Sequence, residues 1–210
     1  MKIKFCGMTN LQDLNDAVHL GVDSVGFIFY EKSPRFVTLE QVQEFVYFLP
    51  PFVTTVGVFV NHDLDFVNNV TKTCGLDVVQ LHGDEEPDFC MKVNARVVKA
   101  FRVKTESDLE LISKYQGLIS AALLDSKVDG QYGGTGHVFD WGLALKAKEY
   151  DVPIILSGGI NNLNIEKAMQ LINPYAIDLC SGIENVPGKK DYEKMAGFVK
   201  TIQVTNEFKG

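Results

Sequence analysis

The sequence predicts an α/β chain folded as a single (β/α)8 barrel, a TIM barrel whose eight parallel strands are ringed by helices. Three observations predict it. Short apolar runs rich in Val, Ile and Phe alternate with longer amphipathic ones. The alternation repeats eight times over 210 residues, about 26 residues per unit and slightly below the usual size of such a barrel. The apolar runs lack a polar face, as strands buried on both sides of a parallel sheet require. A doubly wound open sheet is the alternative. It usually carries a Gly-x-Gly-x-x-Gly after an early strand, and the chain has none.

Each element has its own signal. Residues 3–6 form the first strand, and Thr9 or Asn10 caps a helix carrying Leu11, Leu14, Ala17, Val18 and His19, ended by Gly21. Strand two covers 24–29; after a loop with Ser33, Pro34 and Arg35, Thr38 caps a helix to about 49. Strand three covers 54–60, followed by a helix over 64–74 that Gly75 ends. Strand four is 77–81 with a helix over 86–93, and strand five is 96–101 with a helix near 107–115. Strand six is 121–124, ending at Asp125; a glycine-bearing loop with Gly130 and Gly133-Gly134-Thr135-Gly136 leads to a helix over 141–149. Pro153 opens strand seven, 153–156, where a missing N–H is tolerated. A helix over 162–171, strand eight at 176–179 and a helix over 191–203 complete the pattern, with 204–210 expected to fray. No linker or charge block divides residues 1–210, so one domain is expected.

Composition narrows the function. Apolar residues make up 46% and charged residues 22%, a globular balance that excludes disorder and coiled coil. The net charge of −7 and a pI near 5.1 repel phosphate backbones and anionic lipid, so neither nucleic acid nor membrane is an expected partner. Cys6, Cys74, Cys90 and Cys180 are scattered without a Cys-x-x-Cys pair, as in a reducing compartment. No run reaches the ~18 apolar residues of a spanning helix, and no signal peptide is legible. A cytoplasmic protein is expected; monomer and homodimer both stay open.

A barrel of this kind carries its chemistry at the C-terminal ends of its strands. Those ends hold Cys6, Arg35, Asn61, His62, Gln80, His82, Arg102, Asp125, Ser157-Gly158-Gly159 and Ser181-Gly182. This polar set has a cationic share unlike the acidic whole, which points to an anionic substrate. The glycine turns after strands seven and eight stand where such barrels bind phosphate through backbone N–H groups. Cys6 is either a small inert hydrophobe or a base that needs activation. Asp125 either caps a loop or, at the mouth of an apolar barrel, donates a proton near neutrality. Arg35 suits a carboxylate or phosphate, or a surface charge. The four histidines make no metal-binding pattern.

Ordered blocks of the chain resemble the phosphoribosylanthranilate isomerase family of (β/α)8 enzymes. They are Lys4-Phe5-Cys6-Gly7-Met8-Thr9, Gly26-Phe27-Ile28-Phe29, Ser33-Pro34-Arg35-Phe36-Val37, residues 56–61, Val79-Gln80-Leu81-His82-Gly83, Leu124-Asp125, Gly133-Gly134-Thr135-Gly136, Leu156-Ser157-Gly158-Gly159-Ile160 and residues 177–184. The resemblance covers nearly the whole chain. It implies an Amadori rearrangement of N-(5-phosphoribosyl)anthranilate to carboxyphenylamino-deoxyribulose phosphate in tryptophan biosynthesis, with neither cofactor nor metal. It makes Cys6 the general base and Asp125 the general acid. It sets Arg35 against the anthranilate carboxylate, and Ser157, Gly158, Gly159, Ser181 and Gly182 around the phosphate. Asp178 is expected near the acid-side machinery, and Gln80 and His82 on the pocket wall with open duties. Cys180 stands where many relatives carry serine. Two rivals remain: a histidine-pathway aminoaldose isomerase, which uses two carboxylates and so fits Cys6 poorly, and a non-catalytic phosphate-ligand barrel.

Overall fold

The strand signals close on themselves. In the computed structural model, which describes residues 1–126 and 140–207, eight parallel strands form a closed barrel in chain order. They are β1 (Lys2–Cys6), β2 (Ser24–Ile28), β3 (Thr54–Phe59), β4 (Val78–Leu81), β5 (Arg96–Val103), β6 (Ala121–Ser126), β7 (Ile154–Leu156) and β8 (Ala176–Leu179). The helices are α1 (Leu11–His19), α2 (Leu39–Tyr47), α3 (Leu64–Cys74), α4 (Pro87–Lys92), α5 (Glu106–Leu109), α6 (Trp141–Ala147), α7 (Ile165–Ile172) and α8 (Tyr192–Glu207). The expected glycine-bearing loop with Gly133-Gly134-Thr135-Gly136 lies outside the described residues. None of the described helices is long and apolar enough to cross a membrane.

Alternation along each strand makes two cores. Outward residues such as Phe5, Phe27, Val79, Leu124, Leu156 and Ile177 pack with helix residues including Leu14, Val42, Val67, Ile165 and Phe198. Inward residues Val56, Val78, Val98, Ala100, Ala121, Leu123, Ile155 and Ala176 form a second, smaller cluster inside the barrel. One inward step nearer the C-terminal ends, the same strands present Val58, Gln80, Asp125, Ser157 and Asp178, which line a cavity. The apolar layer is therefore the floor of the site.

Local signals act largely as read. Asn10 Oδ1 accepts from Asp13 N at 2.9 Å to cap α1, Thr38 and Gln41 form a reciprocal capping box on α2, and Gly75 ends α3 in the left-handed region. Four segments differ from expectation. Residues 110–115 wind as a 3-10 helix, which suits buried Leu109, Ile112 and Tyr115 because a repeat of three stacks on one 3-10 face. α7 starts at Ile165 rather than 162 because the Asn161 and Asn164 side chains tie the preceding turn to backbone N–H groups. Residues 204–207, expected to fray, continue α8, where Ile202 and Thr205 are buried. After a 3-10 turn over Ser181–Ile183, a hairpin unforeseen in the sequence pairs β9 (Glu184–Val186) with β10 (Lys189–Lys190).

Candidate active site

The cavity at the C-terminal mouth of the barrel encloses about 500 Å³ and is lined by residues of β1, β2, β3, β4, β6 and β8 and of the loops after them, including Cys6, Arg35, Gln80, His82, Asp125, Asp178 and Cys180, and by Ser157 after β7. That size suits a small-molecule ligand. Ile28, Val58 and Val60 give it an apolar wall.

Cys6 ends β1 and is 4% exposed. Lys4, two residues earlier on the same inward face, lies beside it and donates to Asp178 Oδ1 at 2.8 Å. Burial opposes the Lys4 charge, yet Asp178 and Cys6 outweigh it and hold its pKa above the ordinary value. Room for this group comes from Gly26 on β2. A Cβ there would lie 2.8 Å from Cys6 Sγ and 3.2 Å from Lys4 Nζ. Asp178, expected beside the acid, thus belongs to the Cys6 side.

Cys180 lies next to Cys6, within hydrogen-bonding reach of its thiol. The Cys6 S–H donates to Cys180, which pushes the Cys6 pKa up, reinforced by burial, and the Cys180 pKa down, assisted by Lys190 and Arg35. The pair thus carries its first negative charge on Cys180. Lys190 is fully buried at its side chain, and its Nζ donates to Cys6 O at 2.6 Å, Cys180 O at 3.3 Å and Glu184 Oε1 at 2.9 Å. This one ammonium fastens the ends of β1 and β8 to the hairpin.

Arg35 is buried, not a surface charge. Its loop is fixed to β2 by Val37 N donating to Ile28 O at 3.0 Å. Its Nε and Nη2 donate to the two oxygens of Glu184 at 2.8 and 2.7 Å, a bidentate fork. Burial raises the Glu184 pKa, but Arg35 and Lys190 reverse this and hold it below 4.5. Gly7, at φ +73°, lets the guanidinium stem pass: a Cβ would lie 2.8 Å from Arg35 Cδ and 3.2 Å from Cys180 Sγ.

Opposite stands Asp125 on β6, 2% exposed. Its Oδ1 accepts from Ser126 N at 2.8 Å, and its Oδ2 is 3.4 Å from His82 Nε2. Gln80 Nε2 meets His82 Nδ1 at 2.9 Å. With the amide donating, Nδ1 accepts and the imidazole proton sits on Nε2, facing Asp125. Among the described residues, His82 Nε2, Gln80 Oε1 and Ser126 Oγ are buried without a hydrogen-bond partner.

The two glycine turns meet beside this pocket. Gly158 and Gly159 adopt φ +77° and +65°, and among the described residues their N–H groups have no acceptor. A Cβ on Gly158 would strike Asp125 Oδ1 at 2.6 Å, and one on Gly182 would strike Ile160 O at 2.3 Å. Ser157 and Cys180 line the cavity; Gly158, Gly159, Ser181 and Gly182, which follow them in the chain, are absent from its lining.

Not every strand end contributes. Asn61, His62 and Arg102 are absent from the lining; His62 bonds Phe29 O at 3.0 Å and stacks on Phe66, and Arg102 pairs with Asp84. Conversely, Lys4, Glu184 and Lys190 join the site from outside the strand-end candidates, and Cys180, expected in the phosphate turn, lies beside Cys6. For Lys4 a signal existed: two residues before Cys6 on a strand, it shares the same face.

The comparisons with known proteins agree over the same span. The profile of the family described as N-(5'phosphoribosyl)anthranilate (PRA) isomerase matches residues 3–201. The chain belongs to this family. The N-(5'-phosphoribosyl)anthranilate isomerase of Geobacter metallireducens is 46% identical over 200 residues, covering 95% of this chain and 98% of its own. The phosphoribosyl anthranilate isomerase structure from Thermotoga maritima superposes with a TM-score of 0.91 at 39% identity, covering 97% of this chain and 99% of that one. A further isomerase structure of this family, in complex with reduced 1-(o-carboxyphenylamino)-1-deoxyribulose 5-phosphate, gives 0.88 at 37% identity, over 97% and 99% of the two chains. The barrel expected from the sequence is thus the barrel of the phosphoribosylanthranilate isomerases.

Proposed function

We propose that the cavity converts N-(5'-phosphoribosyl)anthranilate to 1-(2-carboxyphenylamino)-1-deoxyribulose 5-phosphate, a step of tryptophan biosynthesis, with Cys6 as general base and Asp125 as general acid. The observation that carries this reading is their placement. A carboxyl and a thiol, both buried, line one cavity from β6 and β1, with the two glycine turns alongside.

The chemistry follows from those positions. Asp125 gives its proton to the ring oxygen as the C1–O bond breaks, and the anilinic nitrogen lone pair forms the C=N bond of a Schiff base. The sulfur of Cys6 then takes the proton from C2; its electron pair becomes the C1=C2 bond of an enolamine as the C=N electrons return to nitrogen. Tautomerisation moves a proton from the C2 hydroxyl to C1 and leaves the ketone. Cys180 serves the base by holding the negative charge of the pair and accepting the Cys6 proton as Cys6 takes up the substrate's. General acid–base groups so placed contribute about 10²–10⁴-fold each.

Binding roles follow from the remaining groups. The phosphate rests on the N–H groups of Gly158 and Gly159 and on the turn of Ser181 and Gly182, with Ser157 beneath. The anthranilate carboxylate meets the Arg35 nitrogen that Glu184 leaves, and its ring lies on Ile28, Val58 and Val60. His82, aligned by Gln80, faces the acid, and Asp178 anchors Lys4. The setting is the cytoplasm, whose reducing conditions suit a chain with four free cysteines. The test follows anthranilate fluorescence loss on freshly generated substrate for the native chain, Cys6→Ser and Asp125→Asn. Fast native turnover with both folded variants crippled supports the reading. Activity kept in Asp125→Asn moves the acid elsewhere, and no native turnover overturns the enzyme.

A further inference from the structure

A single thiol is enough for a base, yet this cavity holds two. β1 and β8 are paired with Phe5 opposite Leu179, so Cys6, the last residue of β1, and Cys180, the first residue after β8, come next side by side. Adjacent strands lie about 4.8 Å apart, inside the ~4.4–6.8 Å between Cα atoms that a disulfide spans. Lys190 Nζ bonds both of their carbonyls, at 2.6 and 3.3 Å, and keeps that alignment beyond the last ladder bond. Both residues line the cavity, so a small solute reaches them. Cys74 and Cys90 are placed differently: they sit on α3 and α4 and do not line the cavity.

We propose that Cys6 and Cys180 form a redox site, which a small hydroperoxide entering the cavity oxidises to a disulfide that switches the isomerase off. The thiolate attacks one peroxide oxygen from Cys180: the S–O bond forms, the O–O bond breaks, and the departing alkoxide or hydroxide takes a proton from solvent. Cys6 sulfur then attacks the sulfenic sulfur. The S–S bond forms, the S–O bond breaks, and the leaving hydroxide takes the Cys6 proton away as water. Two electrons have passed from the sulfurs to the peroxide. A dithiol reverses the bond by exchange. Lys190 and Arg35, facing Cys180, favour its thiolate, while Lys4 and Asp178 face Cys6. The loss of turnover rests on Cys6 being the base; the disulfide itself does not.

The experiment treats the reduced full chain with hydrogen peroxide, blocks remaining thiols, and reads intact mass, cross-linked peptides and turnover before and after dithiothreitol. The expected result is a mass lower by two hydrogens, a peptide joining Cys6 to Cys180, and turnover lost and then regained. In Cys180→Ser the chain gains oxygen instead of losing hydrogen. In a Cys74→Ser, Cys90→Ser double variant the cross-link and its reversal persist. Oxygen gain without a cross-link in an active native enzyme, or a cross-link to Cys74 or Cys90, overturns the redox site alone. A cross-link between Cys6 and Cys180 that leaves turnover intact overturns the switch and the assignment of the base together.

Discussion

The two walls of the cavity are built on opposite plans. On the Cys6 wall every buried charge is partnered: Lys4 with Asp178, Arg35 with Glu184, and Lys190 with Glu184 and two carbonyls. On the Asp125 wall, among the described residues, Gln80 Oε1 and Ser126 Oγ are buried without a hydrogen-bond partner, and His82 Nε2 has only the 3.4 Å approach of Asp125 Oδ2. Each unsatisfied buried group costs about 1–3 kcal/mol. The surroundings of Cys6 are therefore preorganised by the protein alone. The Asp125 wall keeps polar capacity for a ligand, so in the proposed mechanism binding energy is released beside the proposed acid.

Removing a charge from the finished wall should do the most damage. Lys4→Met leaves Asp178 buried and alone, and breaking such a pair costs about 3–5 kcal/mol; chemical denaturation reads it, and an unchanged midpoint would break the contrast between the walls. Next is Gly158→Ala. Its φ of +77° and the 2.6 Å approach to Asp125 Oδ1 combine backbone strain of about 1–3 kcal/mol with a displaced Asp125 carboxyl, so turnover is expected to fall more than stability. The shared proton of the two thiols gives a third test. The rate is expected to fall as pH drops, with a midpoint below the ~8.5 of an ordinary thiol, because the first thiolate is lowered by the Cys6 hydrogen bond. Cys180→Ala, which removes that bond, should move the limb up in a pH–kcat/KM profile.

Two smaller effects sharpen the comparison. The folded-state pKa of Glu184 is depressed below 4.5. Its stabilisation is thus fully present above pH 4.5 and lost as pH falls through the lower folded value. Thermal melts of the native chain between neutrality and acid should show this loss, and Glu184→Gln should flatten it. On the other wall, Gln80→Leu removes an unpartnered oxygen along with one hydrogen bond, so stability should change by less than ~1 kcal/mol. Turnover should still fall, since His82 loses the partner that sets its proton. A large destabilisation there would mean that the acid wall is as finished as the other.

The barrel was legible because apolar alternation is a local property. β8 was read to the residue, and Gly75 marked the end of α3. Cys6, Asp125, Gln80, His82 and Ser157 were legible as strand ends. What escaped was set by partners distant in sequence. Lys190 reads as a surface lysine until Cys6, 184 residues away, accepts its proton bond. Glu184 looks like a solvated charge until Arg35 closes on it across 149 residues. The hairpin that carries both has strands of three and two residues, too short for any periodicity to register.

The Lys190 clamp also has a consequence in time. At ~5–20 residues per second, roughly ten to forty seconds of synthesis separate Cys6 from the residue 184 positions later that seats its carbonyl. For that interval the nascent chain has Cys6 but not the bolt that aligns it. A chain cut short within α7 has neither Cys180 nor Lys190, so the clamp is among the last parts of the site to be made.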